Sequence, residues 1–381
     1  MTRKLVSIRQ ISALRDIAGT PDIQIAVIDG WTCLVRARQF IKDELVVFFE
    51  IDAFLPPPTE DSRYGWTYNP AHHSVITWKG YKGIHVKSIM INNCFEISQG
   101  VVLKLKEFPE VEQVYEYLTK KLGDNKGEEQ AMSMCFAGKL GVKKWERDEA
   151  GICTPLGRLP TFFPTTDIER VQNIQTIFTL EHSKAVYQES VKVDGSPMTV
   201  YYVKKDSQYY RSLPHLPVGS KGDMENGRFG VCSRNSDLAE GGKSIFWEVA
   251  LRNWLPLKLA RVSRSIAIQG VLYGRPIQQN RNAFNTGFHD FFVHSMFDID
   301  RQERLKPGET VLRTKQLGIQ HVPVFGEVNL HAIASSNKDL LKRAEGTGIN
   351  GKQREGLVYK NVVDGRWFKV IANDYLLNHG E

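Results

Sequence analysis

Residues 23–37, IQIAVIDGWTCLVRA, alternate apolar and polar side chains on both sides of an Asp29-Gly30 pair. Period-two alternation is what a half-buried strand requires, and Asp-Gly between two such runs signals a tight hairpin. The pattern recurs through the first hundred residues. DELVVFFEIDAFLPPP (43–58) reads as a buried strand stopped by Pro56, Pro57 and Pro58. SRYGWTYNPAHHSVITWKGYKG (62–83) is rich in aromatic, glycine and basic residues, and IHVKSIMINNCFEISQGVVLKL (84–105) follows. Short strands separated by turn signals predict a small barrel. EFPEVEQVYEYLTKKLGDNKGEEQ (107–130) then becomes helical and charged. In LPTFFPTTDIERVQN (159–173), Pro164 and the Thr-Thr-Asp run predict entry into a helix with Glu169 in its first turn. Beyond residue 184 short strands dominate, interrupted by two predicted helices. These are SIFWEVALRNWLPLKLA (244–260), with core spacing, and LHAIASSNKDLLKRAEG (330–346), stopped near Gly346. No internal repeat is present.

A chain of 381 residues exceeds what one core usually serves, so two domains are expected. The composition, 41% hydrophobic and 24% charged, is that of a globular protein. No segment approaches the roughly 20 apolar residues that span a bilayer, and the N-terminus lacks the apolar core of a signal peptide. No membrane association is expected. The five cysteines are scattered at 33, 94, 135, 153 and 232 without a C-x-x-C pair. That argues against a disulfide framework or zinc site and for a reducing, intracellular setting, cytoplasmic or nuclear. The net charge of +7 suits a polyanionic partner, although many basic proteins touch no nucleic acid.

Within YQESVKVDGSPMTVYY (187–202), Lys192 lies between two valines in a strand-like run. A lysine there is either the wet face of an edge strand or a nucleophile. An amine that attacks phosphorus must be unprotonated, and at the reference pKa of about 10.4 only ~0.1% is neutral at pH 7.4. Burial and a neighbouring cation both lower that pKa. Lys360 and Lys369 are candidate cations, and Gly195 permits a tight turn beyond the lysine.

Lys-x-Asp-Gly alone is a weak signal. Its meaning comes from the ordered series that follows: GVCSRNSDL (230–238), IAIQGVLYGRPIQQN (266–280), HDFFVHSMFDID (289–300), REGLVYKNV (354–362) and RWFKVIANDYLL (366–377). This series resembles the covalent nucleotidyltransferases, polynucleotide ligases and mRNA capping enzymes, and most closely the ATP-dependent RNA ligases. The N-terminal half resembles the OB-like module that precedes the ligase domain in one nick-sealing branch. DNA ligases and capping enzymes carry their OB domain afterwards, and none is expected after Lys369. The resemblance implies an α+β chain: an OB-like nucleic-acid-binding β-barrel at 1–106, a helical connector at 107–157, and a nucleotidyltransferase domain at 158–381. The last is an adenylyltransferase, ATP-grasp-like, of antiparallel sheets with flanking helices.

The same resemblance implies roles. Lys192 is the lysine that becomes adenylylated. Asp194, Gly195, Arg234, His294, Glu355, Lys360 and Lys369 contact nucleotide, and Glu355 is tied to metal. Apart from the resemblance, the basic and aromatic chemistry of Lys79, Tyr81 and Lys82 makes them candidates for gripping a strand. ATP and Mg²⁺, or Mn²⁺, are the implied cofactors. RNA or an RNA-containing nicked duplex is the implied partner, in RNA repair, with the enzyme taken as a monomer. Read singly, Arg234 and Lys360 are surface charges and Glu355 a solvating group. Three positions depart from the family: Val271 stands where a ribose-binding glutamate is usual, His294 where an adenine-stacking aromatic is, and Ile371 where a second lysine is. Thr165 also replaces a frequent lysine. A catalytically weak or inactive nucleic-acid-binding protein and an RNA guanylyltransferase are the rival readings.

Overall fold

The computed structural model describes residues 3–57, 74–91, 96–146, 153–174, 176–179, 184–241, 244–274, 277, 288–348 and 351–379. Pro58, the aromatic stretch 62–73, Cys94 and most of RPIQQN (275–280) lie outside the described residues. The chain divides into two compact units. One comprises 1–147, 170–176 and 373–381, the other 148–169 and 177–372.

The first unit is built on antiparallel strands, as the alternation requires. Leu45–Phe49 is the middle strand of a three-stranded sheet between Val6–Gln10 and Val101–Lys104. Ala13–Asp16, Ile23–Ile28 and Trp31–Arg36 form a meander whose last turn is the Asp29-Gly30 pair, with Asp29 at φ 52°. Ala53–Leu55 ends at Pro56 and joins a sheet ordered Lys143–Lys144, Ala53–Leu55, Tyr81–His85, Val75–Trp78. The helices Pro109–Leu122 and Asp124–Ser133 also belong to this unit. The first opens on proline with Glu110 and Glu112 in its first turn and closes on Lys120 and Lys121, matching the helix dipole.

A charged network lies inside this unit. Glu50 is fully buried and accepts from Arg3 Nε at 2.6 Å and from Asn173 Nδ2 at 3.0 Å. Arg3 also pairs with Asp52 at 2.6 Å, and Arg170 approaches Asp52 at 3.5 Å. Asn173 accepts from Trp31 Nε1 at 2.7 Å. Burial opposes ionisation of Asp52, yet Arg3, with His85 and Arg170, holds its carboxyl well below the usual range.

The second unit contains two antiparallel sheets. The larger follows the order Pro155–Arg158, Ser236–Leu238, Gly227–Cys232, Ser196–Lys204, Ile266–Tyr273, Asp290–Asp298, Glu303–Arg304, with Asp223–Met224 pairing beside Gly227–Cys232. One face packs against helices Ile245–Arg252 and Leu255–Ala260 through Phe246, Trp247, Leu255 and Leu259. Ser244 caps the first of these helices by accepting from Trp247 N. The other face carries Phe162 and Phe163 against Tyr201 and Phe297. The smaller sheet includes Trp367–Ile371, Gly356–Asn361, Val186–Lys192 and Val324–Asn329, in that order. The predicted helix at 330–346 is present as Leu330–Ile333 and Asn337–Ala344, broken where Ser336 caps the second piece. The helix entry expected at 164–169 is absent. Glu169–Arg170 is extended and Val171–Asn173 is one 3₁₀ turn. Among the described residues no helix is long and apolar enough to cross a membrane.

Replacing Glu50 by glutamine leaves Arg3 and Arg170 buried with one counter-charge fewer. The expected cost is about 3–5 kcal/mol, the usual penalty for breaking one side of a buried ion pair. Asp52 adds stability above about pH 4 that is lost as pH falls through its depressed pKa. Urea unfolding of both proteins at pH 7 and pH 3 checks this. An unchanged midpoint for Glu50→Gln at pH 7 refutes the structural role.

Candidate active site

Strand Val186–Lys192 pairs antiparallel with Gly356–Asn361, setting Lys192 opposite Gly356 and Gln188 opposite Lys360. Gly356–Asn361 pairs in turn with Trp367–Ile371, setting Val358 opposite Lys369 and Lys360 opposite Trp367. Direct partners share a face and alternate residues return to it. Lys192, Lys360, Trp367 and Lys369 therefore stand on one face of one sheet. Glu355 immediately precedes Gly356, which brings its carboxylate to Lys192, with Nζ 2.8 Å from Oε2. Lys192 is half-buried and also donates to the Val193 carbonyl at 3.2 Å. The sequence reading expected cations around Lys192, but its closest partner is this carboxylate.

Lys360 is buried, and its Nζ donates to the His294 carbonyl. Burial, with Arg304 nearby, lowers its pKa to about 7. His294 comes from the larger sheet by an irregularity of register. Gln269 pairs with Ser295 and Gly270 with Val293, so His294 is the extra residue of a bulge. Gly270 is required there, because a Cβ would lie 2.0 Å from the Phe292 carbonyl oxygen. The His294 ring meets Trp367 edge-on at 5.6 Å. Burial, then Lys360, Arg304, His321 and Lys192, holds the His294 pKa well below the ordinary value, so the imidazole is neutral at neutral pH. Its Nδ1 has no partner among the described residues, nor has Nε2 of His321. Burial and Lys360 lower the His321 pKa to about 4.

Other expected residues lie in different settings. Asp194 and Gly195 follow Lys192 after one intervening residue, Val193. Gly195 is needed for packing, since a Cβ would meet the Leu272 carbonyl oxygen at 2.4 Å and Val271 Cγ1 at 2.6 Å. Arg234 pairs with Asp167 at 2.9 Å. Val271 packs against an apolar cluster of Val191, Val193, Tyr273, Phe292 and Val322. Lys79, Tyr81 and Lys82 sit on the hairpin Val75–Trp78/Tyr81–His85 of the first unit. Lys79 at φ 49° and Gly80 at φ 81° form its turn. Tyr81 is 51% exposed, with Lys143 Nζ 4.2 Å above its ring. Sequence reasoning missed Arg304, Trp367 and His321. Only Trp367 had a signal, lying inside a quoted motif.

The family model described as RNA ligase matches residues 185–371, and an OB-fold domain model matches residues 5–105. No curated protein matches the chain. Among solved structures, a lysine-to-alanine variant of Naegleria gruberi RNA ligase with ATP and Mn is 30% identical, with a TM-score of 0.79. That match covers 100% of this chain and 98% of the other. The chain belongs to the RNA ligase family. The Naegleria gruberi RNA ligase with PPi is 31% identical over 99% of both chains, and a lysine-to-methionine variant with AMP and Mn is 30% identical over 98% of both. Each of these has a TM-score of 0.79.

The expected OB-fold and antiparallel ligase architecture are thus both present. Val271, where the resemblance led to the expectation of a ribose-binding glutamate, makes an apolar contact in this ligase. Val271→Glu is expected to bury a carboxylate among valines and rings at a cost of about 2 kcal/mol or more. The melting temperature falls and adenylylation does not rise. A stable variant with faster adenylylation would show that Val271 replaces a contact the pocket can still make.

Proposed function

We propose that this RNA ligase joins 3′-OH and 5′-phosphate ends, sealing nicks in RNA-containing duplexes, through a lysyl-AMP intermediate on Lys192. The observation that carries the proposal is the shared sheet face: Lys192 against Glu355 at 2.8 Å, with Lys360 and Lys369 in register beside it. The Lys192 amine attacks the α-phosphorus of ATP, forming an N–P bond as the P–O bond to pyrophosphate breaks. AMP then passes to a 5′-phosphate, and a 3′-OH attacks that phosphorus to form the phosphodiester and release AMP. Lys360 and Lys369 bind phosphate oxygens and stabilise the charge that develops on them. Arg234 exchanges Asp167 for phosphate or the reacting strand. Asp194 lies beside the nucleotide, and the neutral His294 ring lies against the base, with less stacking area than a phenyl or indole ring.

Among the described residues no group of three or more His, Cys, Asp or Glu side chains could form a metal cage. The single carboxylate of Glu355 suits Mg²⁺ or Mn²⁺, which bind through one or two carboxylates together with waters and substrate phosphates. Such an ion neutralises charge on the transferring phosphate. The hairpin at 75–85, with Lys79, Tyr81, Lys82 and Lys143, supports strand binding by stacking and charge. We assign residues 1–106 to that module and 158–381 to catalysis, with 107–157 between them, working inside the cell as a monomer.

Lys192→Ala is expected to abolish transfer of label from α-labelled ATP to the protein, while sealing of a pre-adenylylated nick persists. Undiminished labelling overturns the assignment, and label from GTP in place of ATP favours a capping enzyme. Tyr81→Ala combined with Lys82→Ala is expected to weaken binding of nicked RNA about tenfold or more, on the scale of one lost stacking contact and one phosphate contact. Labelling with AMP stays at the wild-type rate. Equal RNA affinity in gel-shift titrations removes this hairpin from the substrate path.

A further inference from the structure

Arg304 belongs to no motif of the sequence, yet it is built into the site from three sides. It lies on the two-residue strand Glu303–Arg304, opposite Phe297 on Asp290–Asp298. Its Nη1 donates to Gln269 Oε1 at 2.8 Å and to Ser295 Oγ at 2.5 Å. The guanidinium lies 6.0 Å from the Phe297 centroid and 4.6 Å from that of Trp367. Gln269 is itself fixed by donating to the Pro164 carbonyl at 2.7 Å. The indole of Trp367 also carries Lys360, whose Nζ is 5.3 Å from its centroid. One ring thus holds two cations. Neither has a carboxylate within ion-pair distance among the described residues.

We propose that Arg304 is a positioning residue for the phosphate site: clamped by Gln269 and Ser295 against Trp367, it disfavours the charged form of Lys360 until an anion enters. The proposal rests on the reading of Lys360 as a phosphate ligand. A second buried cation on the same indole raises the free energy of the Lys360 ammonium, and a bound polyphosphate reverses that balance. Nucleotide binding then draws a proton onto Lys360. The other groups around Lys360 are His294 from Asp290–Asp298, His321 ahead of Val324–Asn329, and Lys192, Lys369 and Gln188 on its own sheet face. These are neutral or cationic, and the carboxylate of Glu355 beside them is engaged by Lys192 at 2.8 Å, so none supplies the missing counter-charge. Both histidines titrate well below neutrality and leave the window near pH 7 to Lys360.

The test is ATP affinity by calorimetry in the absence of divalent metal, from pH 6 to pH 9, for wild type, Arg304→Gln and Arg304→Lys. Titration of the nucleotide's own phosphate is common to all three and cancels. Wild-type affinity is expected to fall about tenfold per pH unit above about 7, the slope of one linked proton. In Arg304→Gln the inflection moves up by about one pH unit, because a cation has been removed. In Arg304→Lys, which keeps the charge, it stays near the wild-type position. An identical inflection in wild type and Arg304→Gln overturns the proposal, as does affinity lost equally at every pH. Should Arg304→Gln fail to fold, the wild-type proton count at pH 8 decides: uptake near one proton supports the proposal and none refutes it. If the wild type does not bind ATP at all, the ligase reading itself fails, an outcome distinct from binding with unmoved inflections.

Discussion

The antiparallel pairing of Val186–Lys192 with Gly356–Asn361 is the constraint on which the site depends. It joins segments more than 160 residues apart and is specified to the residue. A slip of one position would turn Lys360 to the opposite face, where Glu189 is held by Arg343 at 2.7 Å and by the Tyr359 hydroxyl at 2.8 Å. That buried carboxylate network fixes the register from behind. The pairing also explains why Glu355 reaches Lys192: the residue just ahead of the strand falls at the end where the lysine strand finishes. Local sequence alone does not set the 2.8 Å contact.

The larger sheet adds what the smaller one lacks. Its bulge at His294 turns an imidazole and a backbone carbonyl toward the lysine face, and its short last strand delivers Arg304. The result is a site rich in positive charge, with Glu355 as the acid paired to Lys192. Such a site is unfavourable when empty and favourable when filled by a polyanion, which is the electrostatic requirement for handling nucleoside triphosphate and polynucleotide ends.

Much of this was legible in the sequence. The alternating strands and the Asp29-Gly30 hairpin follow from local periodicity and turn chemistry, whereas the one helix expected at 244–260 is two, Ile245–Arg252 and Leu255–Ala260, parted at Trp254 with φ 57°. Lys192, Glu355, Lys360 and Lys369 were legible because their motifs occur in a fixed order. What was hidden is non-local. Arg304 matters because of its cross-strand partner and a ring on another sheet, and neither leaves a mark in the residues around it. The segment at 159–173 was misread because its helix-capping chemistry is used elsewhere: Asp167 holds Arg234, and the Pro164 carbonyl accepts from Gln269. The bulge at His294 is one extra residue in an otherwise regular strand, which no alternation pattern distinguishes.

The buried Glu50 network has a temporal side. Its partners Arg170 and Asn173 are encoded about 120 residues after Glu50, beyond the segment 148–169 that belongs to the other unit. As the chain emerges from the ribosome, Glu50, Arg3 and Asp52 are present long before Arg170 exists. At a synthesis rate of about 5–20 residues per second, the first unit waits roughly 6–24 seconds with its interior charge unbalanced. The order of folding is therefore not simply the order of the sequence. The first unit closes only after the chain has started on the second and returned, so a truncation near residue 150 leaves a nascent unit with a buried acid group and an incomplete set of cations.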